Sequence, residues 1–184
     1  AVYQTKFETF LKENNLIGNS KVVDNQLVLE VEGKSAHGSL PQDGVNALHL
    51  LFNALNYIGI SNELTQFVDK YLSNDYLGVK LGINYTDHEM GELTVNWGVL
   101  KTTDSKFEIV LNLRYPNGVD YQTDVFQKIE KLLVGDYKVT VEHHQKLLYK
   151  DPNSHLIKTL MGIYKKHTGD DSPAVSIGGG TFAR

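Results

Sequence analysis

The sequence predicts an α+β domain, and the prediction rests on two kinds of periodicity and on their order. Several stretches repeat apolar residues at the spacing of amphipathic helices, and others alternate apolar and polar residues as half-buried strands do. The second half of the predicted domain has the order strand, strand, helix, strand, and a strand–helix pair precedes it. This order is typical of a ferredoxin-like antiparallel sheet with helices on one face.

The composition restricts the functional classes. The 184 residues are 41% hydrophobic and 22% charged, as in ordinary globular proteins, and the formal net charge is −4. A net negative charge argues against a nucleic-acid partner, including a ferredoxin-like RNA binder. The absence of cysteine excludes disulfides and thiolate metal sites and fits a reducing compartment. No apolar run approaches the roughly 20 residues that cross a bilayer, so no membrane partner is expected.

Helical spacing predicts five helices. They are expected at residues 2–14, 44–57, 62–73, 120–134 and 155–167. Asp43 is placed to cap the second helix. Residues 74–91 are rich in Gly, Asn and Asp and predict a long, partly ordered connection.

Alternation predicts the strands. Residues 21–24 and 26–32 flank a turn at Asp24-Asn25, and residues 93–100 and 107–115 form a hairpin around a turn at 102–105. Further strands are expected at 138–144 and 174–177. The character of the chain changes at residues 146–152, which predicts a structural boundary there. The first residue is not Met and the last lie in a Gly-rich motif, so we expect a piece of a longer protein.

Two residues could carry chemistry on local grounds. His37 lies at a corner between a predicted strand and a predicted helix. It is either a structural or surface histidine, or a hydrogen-bond donor to developing negative charge. No second ligand at metal-binding spacing stands beside it. Arg114, at a strand end, is either an ordinary solvent-facing residue or a fork for a carboxylate.

Other features are weaker. Gly178, Gly179 and Gly180, with Thr181 and Arg184 after them, could present backbone N–H groups to an anion, or could only permit a close backbone approach. His143 and His144 are adjacent on a predicted strand and point to opposite faces, so they are not expected to bind one ion. The remaining histidines, among them His49, are isolated.

Three spaced motifs together resemble a known family. Residues 33–47 (GKSAHGSLPQDGVNA), 111–116 (LNLRYP) and 177–184 (IGGGTFAR) are similar to the PepV-type (Xaa-His) bacterial dipeptidases of the zinc aminoacylase/carboxypeptidase clan. Residues 81–94 and 149–152 (YKDP) extend the resemblance over essentially the whole chain. It implies a cytoplasmic enzyme in which a lid domain is inserted into a catalytic domain that binds two zinc ions.

The resemblance assigns roles by position. It implies that residues 1–146 form most of the lid and that residues 147–184 re-enter the catalytic domain. His37 matches the lid histidine that stabilises the oxyanion, and Arg114 matches the arginine that holds the substrate carboxylate. Gly178, Gly179, Gly180, Thr181 and Arg184 match the loop that lines the substrate pocket.

The family's zinc ligands have no counterpart in this sequence. We therefore expect no metal site here and no hydrolysis by this chain alone. The expected partners are a dipeptide or short peptide and the catalytic domain of the same parent chain. Self-association through exposed strand edges such as residues 27–32 is also expected. The alternative function is a stand-alone α+β module that binds a small molecule or an anion without catalysis.

Overall fold

The computed structural model describes residues 2–37 and 40–177, and it confirms the α+β class. Its helices are α1 (Val2–Glu13), α2 (Ala47–Ile58), α3 (Glu63–Tyr71), α4 (Gln127–Leu132) and α5 (His155–Thr168). A 3₁₀ turn at Pro41–Asp43 precedes α2, and a π-helical turn at Tyr121–Phe126 runs into α4. Each predicted helix is present.

Capping side chains define where the helices begin. Asn62 forms a capping box with Thr65 at the start of α3, and the Ser154 hydroxyl accepts from the N–H of Ile157 at the start of α5. The prediction that Asp43 caps α2 is wrong. The cap is Asn46, because the 3₁₀ turn at Pro41–Asp43 and an extended Gly44 delay the helix to Ala47.

The strands form three antiparallel pairs. They are β1 (Gly18–Val23) with β2 (Gln26–Val31), β3 (Thr86–Asp87) with β4 (Gly91–Glu92), and β5 (Thr94–Thr102) with β6 (Phe107–Arg114). Asp24 and Asn25 both have positive φ, the conformation that a tight two-residue hairpin turn requires. The small β3–β4 pair lies within the connection predicted at residues 74–91. A register shift between Trp97 and Val99 interrupts the β5–β6 ladder.

Two predicted strands are not formed. Residues 138–144 have no ladder partner in the described structure, and side chains hold this segment instead. The ring of Tyr137 packs on Phe67 and Phe107 at one end, and the ring of His144 packs on Tyr121 at the other. Residues 174–177 are exposed and pair with no strand within the described ranges, so apolar composition alone did not produce a strand there.

The main core lies between β5–β6 and helices α2, α3 and α4. Trp97, Phe52 and Val125 are fully buried in it, and the inward row of β6 packs against them. Burying a large apolar side chain contributes about 1.5–3 kcal/mol, so this cluster holds the hairpin against the helices. A second cluster, around Phe7 and Ala54, joins α1 to α2.

Within residues 2–37 and 40–177, no helix has the length and apolar character that a membrane crossing requires.

Candidate functional site

The corner that carries His37 is closed by backbone pairing. Lys34 and Val45 exchange two N–H···O bonds of 2.8 Å, which bring the chain that leaves β2 against the chain that enters α2. Gly33 and Gly44 allow this close approach. A Cβ at Gly44 would lie 2.6 Å from the Lys34 carbonyl oxygen, and one at Gly33 would collide with the Val45 carbonyl. Backbone crowding therefore explains why Gly33 and Gly44 carry no side chain.

An open groove of about 380 Å³ lies under this corner. The corner supplies one wall with His37, Lys34 and Ala36, and β5 supplies the other with Asn96 and Gly98. His37 is exposed at its rim. The volume is in the range of small-ligand sites, and the lining combines backbone, imidazole and amide groups that can fix a polar ligand.

Asn46 joins the two walls. Its side-chain oxygen accepts from the N–H of Leu48 at 2.8 Å and caps α2, while its Nδ2 donates to Asn96 Oδ1 at 3.2 Å and to the Trp97 carbonyl at 3.0 Å. The Oδ1 of Asn96 is thus already hydrogen-bonded, whereas its Nδ2 has no acceptor among the described residues and can donate to a ligand. The groove thus contains an amide donor aimed by a helix cap.

Arg114 is the last residue of β6 and pairs with Thr94 across the ladder. Its Nε donates to Asn112 Oδ1 at 3.0 Å, which orients the guanidinium and leaves the terminal nitrogens for a ligand. The Thr94 hydroxyl is buried and finds no hydrogen-bond partner in the described structure. Thr94 therefore leaves an uncompensated buried polar group at the ladder position opposite Arg114.

The β5–β6 register relates Arg114 to the groove. Asn96 pairs with Asn112, one same-face position along from the Thr94–Arg114 pair. Arg114 is therefore the diagonal neighbour of Asn96, a separation of about 7–8 Å between Cα atoms. Arg114 is absent from the lining of the groove itself.

A buried histidine lies behind the groove. His49 is only 3% exposed; its Nδ1 faces the N–H of Asn74 at 2.8 Å and its Nε2 faces the indole N–H of Trp97 at 3.0 Å. Burial lowers the pKa of His49 to about 4, against an opposing effect of Asp75. A neutral imidazole carries one N–H, so it can accept from only one of these two donors, and a protonated ring could accept from neither. His49 is therefore a neutral structural group.

The structure covers only part of the predicted site. His37 and Arg114 lie on neighbouring stretches of one surface, while Gly178, Gly179, Gly180, Thr181 and Arg184 fall outside the described residues. The sequence reasoning missed Asn46, Asn96 and Thr94. An Asn just before an apolar helix was a signal for Asn46 as a cap, whereas Asn96 and Thr94 gain meaning only from the strand pairing.

The described residues do not fit the two zinc ions that the resemblance implies. Across residues 2–37 and 40–177, no three His, Asp or Glu side chains converge as a metal site would need. No catalytic step of this chain is therefore assigned to a metal bound by these residues.

Comparison with known proteins identifies a matching family model. The family model described as "Peptidase dimerisation domain" (M20_dimer) matches residues 25–140, which is more than half of the chain and includes His37 and Arg114.

Curated relatives extend the similarity to both ends. A "Putative dipeptidase" of Staphylococcus epidermidis (strain ATCC 12228 / FDA PCI 1200) is 35% identical over 182 residues, covering 97% of this chain and 39% of the relative. Proteins of the same description from Staphylococcus aureus strains USA300 and MRSA252 are 34% identical, with the same two shares. The chain thus spans about two fifths of the length of these relatives. With the family match over residues 25–140, it belongs to the M20 peptidase family.

Proposed function

We propose that this chain is the lid-containing part of a PepV-type metallodipeptidase that hydrolyses the peptide bond of dipeptides or short peptides. The observation that carries the proposal is the placement of His37 over a groove whose far wall leads, through Asn96, to Arg114. The similarity to dipeptidases over 97% of the chain supports it. Residues 1–146 would be most of the lid, and residues 147–184 would belong to the catalytic domain.

His37 would act on the scissile carbonyl. An imidazole N–H aimed at this oxygen strengthens its hydrogen bond as negative charge develops there, which lowers the barrier to attack by water. The rigid corner between Lys34 and Val45 supports this role, because a donor that is already in place needs little reorganisation. The Nδ2 of Asn96 would donate to the same end of the substrate.

Arg114 would bind the substrate's C-terminal carboxylate. Its terminal nitrogens form a planar fork that matches two carboxylate oxygens, and its Nε is already held by Asn112. In this proposal the carboxylate of a dipeptide lies at Arg114 while its peptide carbonyl faces His37. The Gly178, Gly179, Gly180, Thr181 and Arg184 segment would line the remaining side of the pocket.

The metal would be held elsewhere in the parent protein. Two zinc ions bound by the catalytic domain would supply the activated water, and the described residues of this chain would bind and orient the peptide. From this division we expect the isolated chain to have no peptidase activity. The resemblance further implies that the parent enzyme is cytoplasmic.

The test is His37→Ala in the full-length dipeptidase. Loss of an oxyanion donor is expected to lower kcat by about 10²–10³-fold. Metal content, measured by atomic emission, is expected to stay at the wild-type level. His88→Ala, in the turn between β3 and β4, is the matched control and should leave kcat unchanged. Loss of metal in His37→Ala, or an unchanged kcat, would contradict the assigned role.

A further inference from the structure

Three rings from separate parts of the chain meet just beyond the end of β6. Tyr115 follows Arg114 directly, Tyr121 opens the π-helical turn, and His144 comes from the segment that forms no ladder. The rings of Tyr121 and His144 stack with centroids 3.9 Å apart and planes 16° apart. The Tyr115 hydroxyl lies 2.8 Å from His144 Nε2. We call these three residues the ring cluster.

The ring cluster lies on the opposite side of β6 from Arg114. Leu111, Leu113 and Tyr115 form one alternating row, and all three pack against the main core. Asn112 and Arg114 form the other row. A ligand at the guanidinium therefore does not touch the rings, so any influence of the cluster on the ligand must pass through the backbone of β6.

The end of β6 needs such support. Thr94–Arg114 is the last pair of the ladder, and Pro116 has no N–H to continue it. Terminal strand residues fray when nothing beyond them is held. A further ladder pair would have held Tyr115. Instead, its ring stacks on Tyr121 and its hydroxyl bonds to His144.

We propose that the ring cluster is a positioning device for Arg114. By holding Tyr115, it fixes the peptide unit that joins Tyr115 to Arg114, and with the Asn112 bond it holds the guanidinium fork in the orientation that a carboxylate requires. The inference rests on the proposed role of Arg114 as carboxylate binder. A binding side chain must be held within about 0.5 Å of its productive position, and the residues that support it provide this precision.

The first experiment measures the order of the Arg114 side chain in this chain itself. Only two arginines, Arg114 and Arg184, give Nε–H signals, and Arg114→Lys assigns them. His144→Ala is expected to lower the Arg114 Nε–H order parameter from its wild-type value into the flexible range, below about 0.6. His144→Phe, which keeps a stacked ring, is expected to restore part of the order. His143→Ala is the matched control and should have no effect.

The single tryptophan reports on the core in the same spectra. An unchanged Trp97 indole N–H with a mobile Arg114 supports the positioning role. Unchanged order at Arg114 overturns it. Equal loosening at Trp97 overturns it as well, because the cluster would then serve general stability.

The second experiment uses kinetics of the full-length dipeptidase. His144→Ala is expected to raise KM for a free-carboxylate dipeptide about tenfold, with kcat within about twofold, and to leave a C-terminally amidated dipeptide unaffected. In an Arg114→Ala background, His144→Ala should add nothing. If Arg114→Ala itself leaves the preference for a free carboxylate intact, the proposed function of Arg114 fails. If Arg114→Ala abolishes that preference but His144→Ala does not weaken it, the positioning inference fails.

Discussion

His37 owes its proposed role to neighbouring residues that set the course of the backbone. Gly33 and Gly44 let the chain cross itself closely, and Asn46 ties the start of α2 to β5. The imidazole is thereby placed over the groove by backbone constraints on both sides. A histidine on a looser loop would lose orientational entropy on binding, which would reduce its contribution to the transition state.

His49 is expected to make the protein sensitive to acid. Its pKa is about 4 in the folded state and near 6.5 when it is exposed, so the unfolded state binds the proton more tightly. The stabilisation is complete above pH 6.5 and is lost as the pH falls towards 4, by about 3 kcal/mol in total. Urea unfolding at pH 7.5, 6, 5 and 4 measures this loss.

A matched pair of variants isolates the effect. His49→Gln removes the titrating ring, so its free energy of unfolding should fall less between pH 7.5 and 4 than that of the wild type. His155→Gln, at an exposed position, should keep the wild-type pH dependence. Identical pH dependence in wild type and His49→Gln would contradict the assignment.

At the scale of elements, the junction between α2 and β5 depends on one side chain. Asn46→Ala removes a helix cap and two hydrogen bonds to β5, and the expected loss is about 2–3 kcal/mol. Asn46→Asp keeps the capping oxygen but not the amide donor, so it should lose about half as much. Urea denaturation measures both.

A second cap provides the comparison. Asn62 caps α3 without bridging to a strand, and Asn62→Ala should cost about 1 kcal/mol. Equal losses for Asn46→Ala and Asn62→Ala would show that the bridge to β5 contributes nothing.

The elements that the sequence predicts well are those fixed by local patterns. The apolar stripes of α1 and α3 and the β5–β6 hairpin depend on neighbours within a few residues, and all are found. The segment at 138–144 alternates like a strand, but a strand also needs an open partner edge, which no local pattern encodes. The start of α2 was displaced because the crossing at Lys34 and Val45 competes with an earlier helical turn.

The candidate site shows the same division. His37 and Arg114 are candidates because of motifs, which are local in sequence. Asn96 and Thr94 were not singled out, because they are related to the candidates only through partners far along the chain, namely Asn46 and Arg114. His144 was considered only as a metal ligand, because its contact with Tyr121 is not visible in the sequence. Strand register and ring stacking are tertiary properties, and a single sequence gives no direct measure of either.

At the scale of the whole molecule, the chain is expected to self-associate. β2 pairs with β1 on one edge, and no strand covers its other edge within the described ranges. Uncovered edges favour pairing between chains. Sedimentation velocity should show a dimer whose fraction rises with concentration.

A charge placed on β2 should weaken this association. Val28→Lys is expected to raise the dimer dissociation constant at least about tenfold. Val134→Lys, at an exposed position outside the strands, is the control and should leave the dissociation constant unchanged. A strictly monomeric wild type, or equal effects of the two variants, would contradict pairing through β2.

The contact between Trp97 and His49 also gives the molecule a built-in optical probe. Trp97 is the one tryptophan of the chain, is fully buried, and donates its indole N–H to the imidazole. Its carbonyl oxygen accepts from Asn46, so the emitting residue lies directly behind the groove. An imidazolium quenches indole emission, and a displaced Asn46 would alter the environment of the ring. Fluorescence of the unlabelled protein is therefore expected to respond both to acidification at His49 and to a ligand bound in the groove.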